Sequence, residues 1–334
     1  MYAIIRFDGV YLFDPHNKLY EKIDVKLNVD DILKLKRGDI PEKVKKVLPE
    51  KVTFLGQRFK GYSYIDDYKK INHALFQIKD EDFYSAQPLY IKVVIRDISE
   101  SVTRDLIIIQ AISMLDDLNK IINLLMERFR EWYELYFPEI SQKIEDHEKF
   151  IKAIHEKDRS ELMQELGITE TMGGNLTERD IEMLNKISRR IIDLYKLREE
   201  LKKYIDKLME ELAPNVKEVA GPTIGARLIA LAGGLKELAM LPASTIQVLG
   251  AEKALFRHLR KKTPPPKYGV LFNHPYIQRL PRKRRGAMAR TLAAKISIAA
   301  KVDAFNPGKY IADQLIKELE ERFKQLKEGI KVSK

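Results

Sequence analysis

The feature that most restricts the fold is a run of apolar residues between about Ser99 and Phe137. Ile108, Ala111, Leu115, Leu118, Ile122, Leu125, Phe129, Trp132 and Tyr136 follow one another in alternating steps of three and four. That spacing puts them on one stripe of a helix for four heptads, as in a coiled coil or in helices packed side by side in a bundle. Pro138 closes the run, because proline removes a backbone donor and clashes with the preceding turn. A second stripe begins behind Thr177, an N-cap residue with Asp180 three positions on. It runs through Leu184, Ile187, Ile191, Leu194, Leu201, Ile205, Leu208 and Leu212, with the register wobbling at Arg198 onto Leu197, and ends at Ala213-Pro214-Asn215. Two such helices predict an antiparallel hairpin with arms on the order of 50–60 Å long at ~1.5 Å per residue. The piece between them, 139–176, holds the Met172-Gly173-Gly174-Asn175 breaker and is expected to form the tip. The first stripe presents more apolar surface than one antiparallel partner covers. Leu115, Leu118, Ile122, Leu125 and Phe129 are therefore expected to drive dimerisation.

The arm separates two regions of different character, so the expected class is α+β. Residues 1–97 read as a small α/β domain, 98–214 as the arm, and 215–334 as an all-helical domain. In the first region Ala3–Phe7 and Val10–Phe13 are short apolar runs with Asp8-Gly9 between them as a hairpin turn. Strands are expected again at Leu19–Val25 and Val52–Leu55, and helices at Asp30–Leu35 and Pro41–Leu48. In the third region Leu228–Leu231 and Ala287–Ala300 are Ala-rich helical stretches, and Tyr310–Leu326 is amphipathic.

Charge also divides the chain. The net charge is +11, yet from Ala213 onward there are 24 Lys/Arg against 9 Asp/Glu, so the first 212 residues are close to neutral. A localised surplus of that size is the footprint of a polyanion partner, or of a solubilising face if it were spread over one helix. Here it clusters with Pro, Gly and His in loops. The chain has no Cys, which removes disulfides and thiolate metal sites, and its His residues are scattered, so no metal is expected. No Walker loop, strand-borne GxGxxG or GxSxG occurs, so no catalytic residue and no cofactor is expected. Gly221-Pro222-Thr223-Ile224-Gly225-Ala226 reads as a turn opening a helix. Asp116-Asp117 and Asp66-Asp67 read as solvated acids. No apolar run approaches the ~18 residues of a membrane span and no basic leader opens the chain, so a cytoplasmic protein without membrane contact is expected.

Two stretches carry binding chemistry. Pro242 through Arg257 reads helix, Gly break, helix. Gly250 suits a turn needing positive φ, and the second helix opens at Gly250-Ala251 with free N–H groups that favour anions. Lys253 and Arg257 lie one turn apart, and Phe256 between them either stacks on a base or belongs to the core. Glu252 would repel phosphate if it pointed outward, so it is expected to meet a cation on a protein partner or a nearby Arg. The second stretch runs from Arg257-His258-Leu259-Arg260-Lys261-Lys262 past a proline run to Asn273-His274-Pro275-Tyr276-Ile277-Gln278-Arg279 and Arg282-Lys283-Arg284-Arg285. Arg and Lys there supply phosphate contacts, while Asn, Gln, His and Tyr add hydrogen bonds or stacking. His274 by itself is either a contact or a structural residue.

Ala243-Ser244-Thr245-Ile246-Gln247-Val248-Leu249-Gly250-Ala251-Glu252-Lys253, then Ala254-Leu255-Phe256-Arg257 and Asn273-His274-Pro275, resemble the Nop domain. Ala293-Ala294-Lys295 through Asp303 matches further, and Glu131-Trp132-Tyr133-Glu134-Leu135-Tyr136-Phe137-Pro138-Glu139 resembles the coiled-coil segment of the same family. The resemblance covers about 100–310. It implies a non-catalytic scaffold of box C/D particles that guide RNA 2′-O-methylation. The N-terminal domain would dock the methyltransferase fibrillarin, and the coiled coil would join two copies. The Nop domain would grip a guide-RNA kink-turn already held by a small ribosomal-protein-like kink-turn binder. By position, Gly250, Ala251, Glu252 and Lys253 match the family's RNA–protein contact motif. Ala254–Arg257 match a segment near the guide–target duplex, and His274 matches the loop at the kink-turn. The chain stops at Lys331-Val332-Ser333-Lys334 without the long tails of many eukaryotic relatives, which favours an archaeal type. A spliceosomal Nop-domain protein on a different kink-turn RNA is the alternative.

Overall fold

The computed structural model describes residues 1–78, 83–261 and 263–328, with the backbone alone at 83–85. Lys262 and the Lys331-Val332-Ser333-Lys334 terminus lie outside the described residues. The chain forms two compact units, Met1–Thr103 and Arg104–Lys334.

The first unit is a five-stranded mixed sheet in the order β3-β2-β1-β4-β5. Strands β1 (Tyr2–Arg6), β2 (Gly9–Phe13) and β3 (Leu19–Asp24) run antiparallel, while β4 (Thr53–Leu55) and β5 (Ser63–Ile65) add in parallel beside β1. Arg6 pairs with Gly9, so the turn is Phe7-Asp8 and Gly9 is a strand residue. Glycine is needed there because a Cβ would lie 2.3 Å from the Ile23 carbonyl oxygen of the neighbouring strand. Alternation sends Ala3, Ile5, Val10 and Leu12 to one face, under α1 (Val29–Lys36) and α4 (Phe83–Glu100). Ile4, Tyr11 and Phe13 go to the other, under α3 (Tyr68–Phe76). Helix α2 (Glu42–Lys45) is a single turn. Asn28 and Asp31 form a capping box on α1, and Asp67 caps α3. Asp66 pairs with Arg58, so neither acid of that doublet is merely solvated. The boundary expected at 97/98 falls inside α4, which stays with this unit because Val93 is buried in its core.

The second unit is helical. α5 (Arg104–Glu134) and α9 (Glu178–Leu212) form the antiparallel hairpin, with Thr177 and Asp180 making the capping box of α9. Ile108, Ile112 and Leu115 meet Ile205, Leu208 and Met209 in one cluster. Leu118, Ile122, Met126, Phe129 and Tyr133 meet Leu184, Ile191 and Tyr195 in another. The seam departs from strict heptads after Ile122. Met126 and Tyr133 are buried, while Leu125 and Trp132 are 38% and 39% exposed. A helix of 3.6 residues per turn drifts ~20° per heptad against a 3.5 repeat, and two successive steps of four absorb the drift. Leu115, Leu118, Ile122 and Phe129 are therefore covered within one chain and are unavailable to a second copy. Between the two helices, α6 (Glu139–Lys143), α7 (His147–Ile154) and α8 (Arg159–Leu166) pack onto the second cluster. Arg130 donates to the carbonyls of Ser141, Ile144 and Glu145 at the end of α6. A Cβ at Gly173 would sit 2.0 Å from the Tyr136 carbonyl oxygen, so the glycine breaker permits that crossing.

After Ala213 the chain turns into α10 (Pro214–Ala220), α11 (Pro222–Ala232), α12 (Leu235–Met240) and α13 (Ala243–Val248). It continues as α14 (Glu252–Lys261), a single 3₁₀ turn (Val270–Asn273) and α15 (Pro275–Gln278), then α16 (Arg282–Phe305) and α17 (Ala312–Glu328). These helices share one core with the base of α5 and α9, so the division expected at 214/215 is a turn in the chain rather than a break in packing. α16 runs through the middle, with Ala289, Leu292, Ala293, Ile296, Ala299 and Ala300 fully buried. Its alanines let neighbouring helices approach closely. Gly225 does the same on α11, where a Cβ would lie 2.8 Å from the Met209 methyl. Asp116 is not a solvated acid: its carboxylate accepts from Arg227 Nε at 3.0 and 3.1 Å and ties α5 to α11. Buried Asp303 accepts from the backbone of Val216 at 2.9 Å and the amide of Asn215 at 2.6 Å, which caps α10.

Candidate nucleic-acid interface

The glycine break sits where the sequence places it. Gly250 has φ of +82°, and a Cβ there would come within 2.5 Å of the Val270 side chain. Beyond it the chain leaves the body and returns through a neck. Gly269 N donates to Gln247 O at 3.0 Å, Val270 N to Leu249 O at 2.8 Å, and Gln247 Nε2 to Lys267 O at 2.6 Å. Gly269 permits that closure, since a Cβ would lie 1.8 Å from the Leu249 carbonyl oxygen. The Lys267 side chain passes over Gly286 of α16, which places the neck beside the first turns of that helix.

α14 therefore stands away from the core and buries none of its residues. Phe256 and Leu259 are 58% and 68% exposed, so Phe256 is not a core side chain. At helical spacing, Leu255, Phe256 and Leu259 share one face, and Lys253, Arg257, Arg260 and Lys261 share the other. Ala251 is half-buried in the turn that precedes them. Glu252 points neither to an Arg nor away from the chain. Its Oε1 accepts from Gly250 N at 2.6 Å and closes the turn. The His258 ring bonds the Thr263 carbonyl and ties the end of the helix to the loop, so that nitrogen is occupied.

The second stretch divides in the same manner. Asn273, Gln278, Arg279 and Arg282 are exposed. His274 is not: it is buried, its Nδ1 accepts from Tyr276 N at 3.2 Å as the cap of α15, and its ring also hydrogen-bonds the Val219 backbone. Burial holds its pKa down to about 4, so the imidazole is neutral and structural, and the expected contact role is withdrawn. Arg285 is also largely internal. It donates to Leu280 O at 2.8 Å and Gln278 O at 3.2 Å and lies over Phe272, whose ring stacks on Tyr268 at 5.1 Å. Arg284 donates to the carbonyls of Leu326 and Lys327 at the end of α17. Arg282 and Lys283 remain on the outside.

What unites the exposed members is that their charge is uncompensated. From Lys253 to Val302 the sequence holds 14 Lys/Arg and no acid. Among the described residues, Lys253, Arg257, Arg260, Lys261, Lys267, Arg279, Arg282, Lys283 and Arg290 form no ion pair, whereas Lys217, Arg227 and Lys295 elsewhere in these helices do. Four cations also occupy the first turn of α16, where the helix dipole disfavours positive charge. An anion laid across these groups relieves both costs. Lys267 and Arg290 were missed by the sequence reading, although the charge run alone contains them. No group of His, Asp and Glu able to hold a metal occurs among the described residues, and none of their helices is long and apolar enough to cross a membrane.

The family model described as Nop, snoRNA binding domain, fibrillarin, matches residues 114–325. An uncharacterized NOP5 family protein of Methanocaldococcus jannaschii is 45% identical over 240 residues, covering 67% of this chain and 58% of that protein. Nucleolar protein 58 of Saccharomyces cerevisiae is 38% identical over 216 residues, covering 60% of this chain and 42% of that protein. The chain thus spans about half the length of the curated relatives it matches. A chain of a crystal structure described as a fibrillarin/Nop5p complex aligns over 97% of this chain and 99% of its own length, at 24% identity and a TM-score of 0.44.

Proposed function

The chain belongs to the Nop family, and on that premise we propose that it is a non-catalytic scaffold of an archaeal box C/D guide ribonucleoprotein. In this reading it bridges fibrillarin to a guide RNA and to the kink-turn binder for 2′-O-methylation in the cytoplasm. The first unit docks the methyltransferase, the arm joins two copies, and the excursion 250–266 with the start of α16 grips the kink-turn complex. The observation that carries the reading is the set of exposed, unpaired cations on α14 and α16. Cations in that arrangement grip phosphates without reading sequence, so recognition is expected to need RNA and protein together. The site is revised to Gly250, Ala251, Lys253, Phe256, Arg257, Arg260, Lys261, Lys267, Asn273, Gln278, Arg279, Arg282 and Lys283. Glu252, His258, His274 and Arg285 support it from behind.

Of the residues expected to drive self-association through the arm, Leu125 is exposed and the other four are buried. Met114, Ile121, Leu125 and Trp132 form a second stripe on α5, each 38–61% exposed, beside the buried seam. This stripe is the surface proposed for the second copy.

The test is a reconstitution on a kink-turn RNA at one fixed salt concentration, with and without the small kink-turn binder and fibrillarin. Tight binding only to the protein-bound RNA, and methyl transfer only after fibrillarin is added, are expected. Equal affinity for naked and protein-bound RNA, or methylation by this chain alone, would overturn the proposal.

A further inference from the structure

Two aromatic side chains beside the neck are stacked on one another and stay within reach of solvent. The Tyr268 and Phe272 rings lie 5.1 Å apart and within 16° of parallel. Arg285 sets its guanidinium over the same Phe272 ring, 5.6 Å from the centroid, while donating to the carbonyls of Leu280 and Gln278. The backbone beneath the rings is fixed. Gly269 N and Val270 N donate across the neck, and Phe272 N donates to Gly269 O at 3.0 Å within the 3₁₀ turn. Leu271 is fully buried, so its neighbour in the turn points outward, and Phe272 is 36% exposed. Tyr268 leans on the helical core and is half-buried, whereas Phe272 turns away from that core.

We propose that Tyr268 and Phe272 form a stacking platform for one unpaired nucleobase of the bound RNA. The proposal rests on the RNA reading of this surface and adds a contact that the cations alone do not make. Aromatic rings set among cations are the two halves of an unpaired-strand site, since the rings take the base and the cations hold its phosphate. Both halves are present. Lys267 immediately precedes Tyr268, its side chain lies over Gly286 next to Arg285, and no acid occurs from Lys253 to Val302. Arg285 and the neck hold the rings before RNA arrives, so little side-chain freedom is lost on binding. Every base has a π-face, so the platform adds affinity and position without reading sequence.

The experiment pairs loss of the rings with loss of a base, in the full chain. The kink-turn RNA, held by the small kink-turn binder, is made with each unpaired nucleotide in turn replaced by an abasic one. Each RNA is titrated at one salt concentration with the parent, with Tyr268→Leu/Phe272→Leu and with Phe272→Trp. In the parent, one abasic position is expected to weaken binding by roughly 5- to 100-fold, while exchanging the base there for another has little effect. The leucine variant is expected to bind intact RNA as weakly as the parent binds that abasic RNA, and to lose nothing further at that position. Phe272→Trp keeps an aromatic face and is expected to keep the parent's dependence on the base. 5-Iodouridine at the same position is expected to photo-cross-link to Tyr268 or Phe272, and this measurement on the parent decides the matter if the leucine variant does not fold. Lack of any sensitive position, a base effect that persists undiminished in the leucine variant, or a cross-link elsewhere overturns the platform and leaves the cation reading standing. Equal loss on every RNA when the rings are removed also overturns it, and assigns the rings to the protein partner. A parent that binds none of these RNAs removes both readings.

Discussion

The arm and the helices that follow it are both rich in Lys and Arg, and they dispose of that charge in opposite ways. Along α5 and α9, Lys120 pairs with Asp117 at 2.9 Å, Arg128 with Glu131 at 2.7 Å, Lys186 with Glu182 at 2.7 Å and Lys202 with Glu199 at 2.8 Å. Such exposed pairs contribute little to stability, because water screens them. Their main effect is to leave the arm near neutral, so that the apolar seam alone sets its shape. Among the described residues, Lys253, Arg257, Arg260 and Lys261 on α14 and Arg282 and Lys283 at the start of α16 form no ion pair. The comparison teaches that net charge is a poor guide to a partner, whereas unpaired charge on a projecting element is a good one.

The sharpest way to break the comparison is to exchange the two kinds of damage. Ile122→Ala in the buried seam is expected to destabilise the chain by about 2–5 kcal/mol, while Leu125→Ala, three residues on and largely exposed, changes stability by less than ~1 kcal/mol. Urea unfolding at neutral pH reads both. Equal losses would mean that the strict heptad, not the drifted seam, is what holds the hairpin.

His274 sharpens the boundary between support and contact. Its folded pKa of about 4 lies below the ordinary 6.5, so the unfolded chain binds the extra proton first. Stability contributed by the neutral imidazole is intact above pH 6.5 and falls as the pH drops toward 4, by roughly 3 kcal/mol in all. Asp303 acts with the opposite sign, because burial raises its carboxyl and so favours the folded state as the pH falls. His274→Gln, compared with the parent at several pH values with Asp303 intact in both, is expected to flatten the acid side of the stability curve. An unchanged slope would put His274 in water, and back among the contacts.

The hairpin was legible because its signal is long. A stripe repeated over four turns and more survives a local error of one residue, so the helix pair and the Thr177 cap stand as read, while Leu125 and Trp132 do not. The break at Gly250 was legible from the glycine. What could not be read was which polar residues turn inward. Glu252, His258, His274 and Arg285 carry the same letters as contact residues, and only the neighbouring backbone, from Gly250 to Val219, uses up their hydrogen bonds. Strand β5 is three residues long and left no periodic signal, whereas α3 carries Tyr68, Ile71, Ala74 and Leu75 at helical spacing and was open to being read. In the first unit Gly9 looked like a turn residue because the strand that demands it is distant in sequence.

Cations on the projecting face are expected to show a smaller and specific effect. Lys253→Ala and Arg257→Ala should each leave unfolding unchanged. Each should lower affinity for the assembled kink-turn and reduce the slope of log K against log salt by roughly 0.7–0.9. Arg128→Ala on the arm removes the same charge from a paired position and should change neither. A similar drop in slope for all three would mean that net charge, rather than unpaired charge, governs binding.

The smallest expected effect separates two meanings of one side chain. Glu252 is the single acid on α14, and its carboxylate accepts from the Gly250 amide. If that hydrogen bond is its purpose, a neutral acceptor of the same shape suffices. Glu252→Gln keeps Oε1 in place, so the turn stays closed and binding to the protein-bound kink-turn is unchanged. Glu252→Ala leaves the amide without its partner on a half-exposed turn, a loss of about 1 kcal/mol or less because water replaces it. Affinity for naked RNA should rise slightly in both variants, since each removes one negative charge beside Lys253 and Arg257. If the carboxylate instead meets a cation on a bound partner, Gln and Ala fail alike against the assembled complex. Fluorescence titrations of the two variants against the same RNA, with and without the small protein, decide between a cap and a contact.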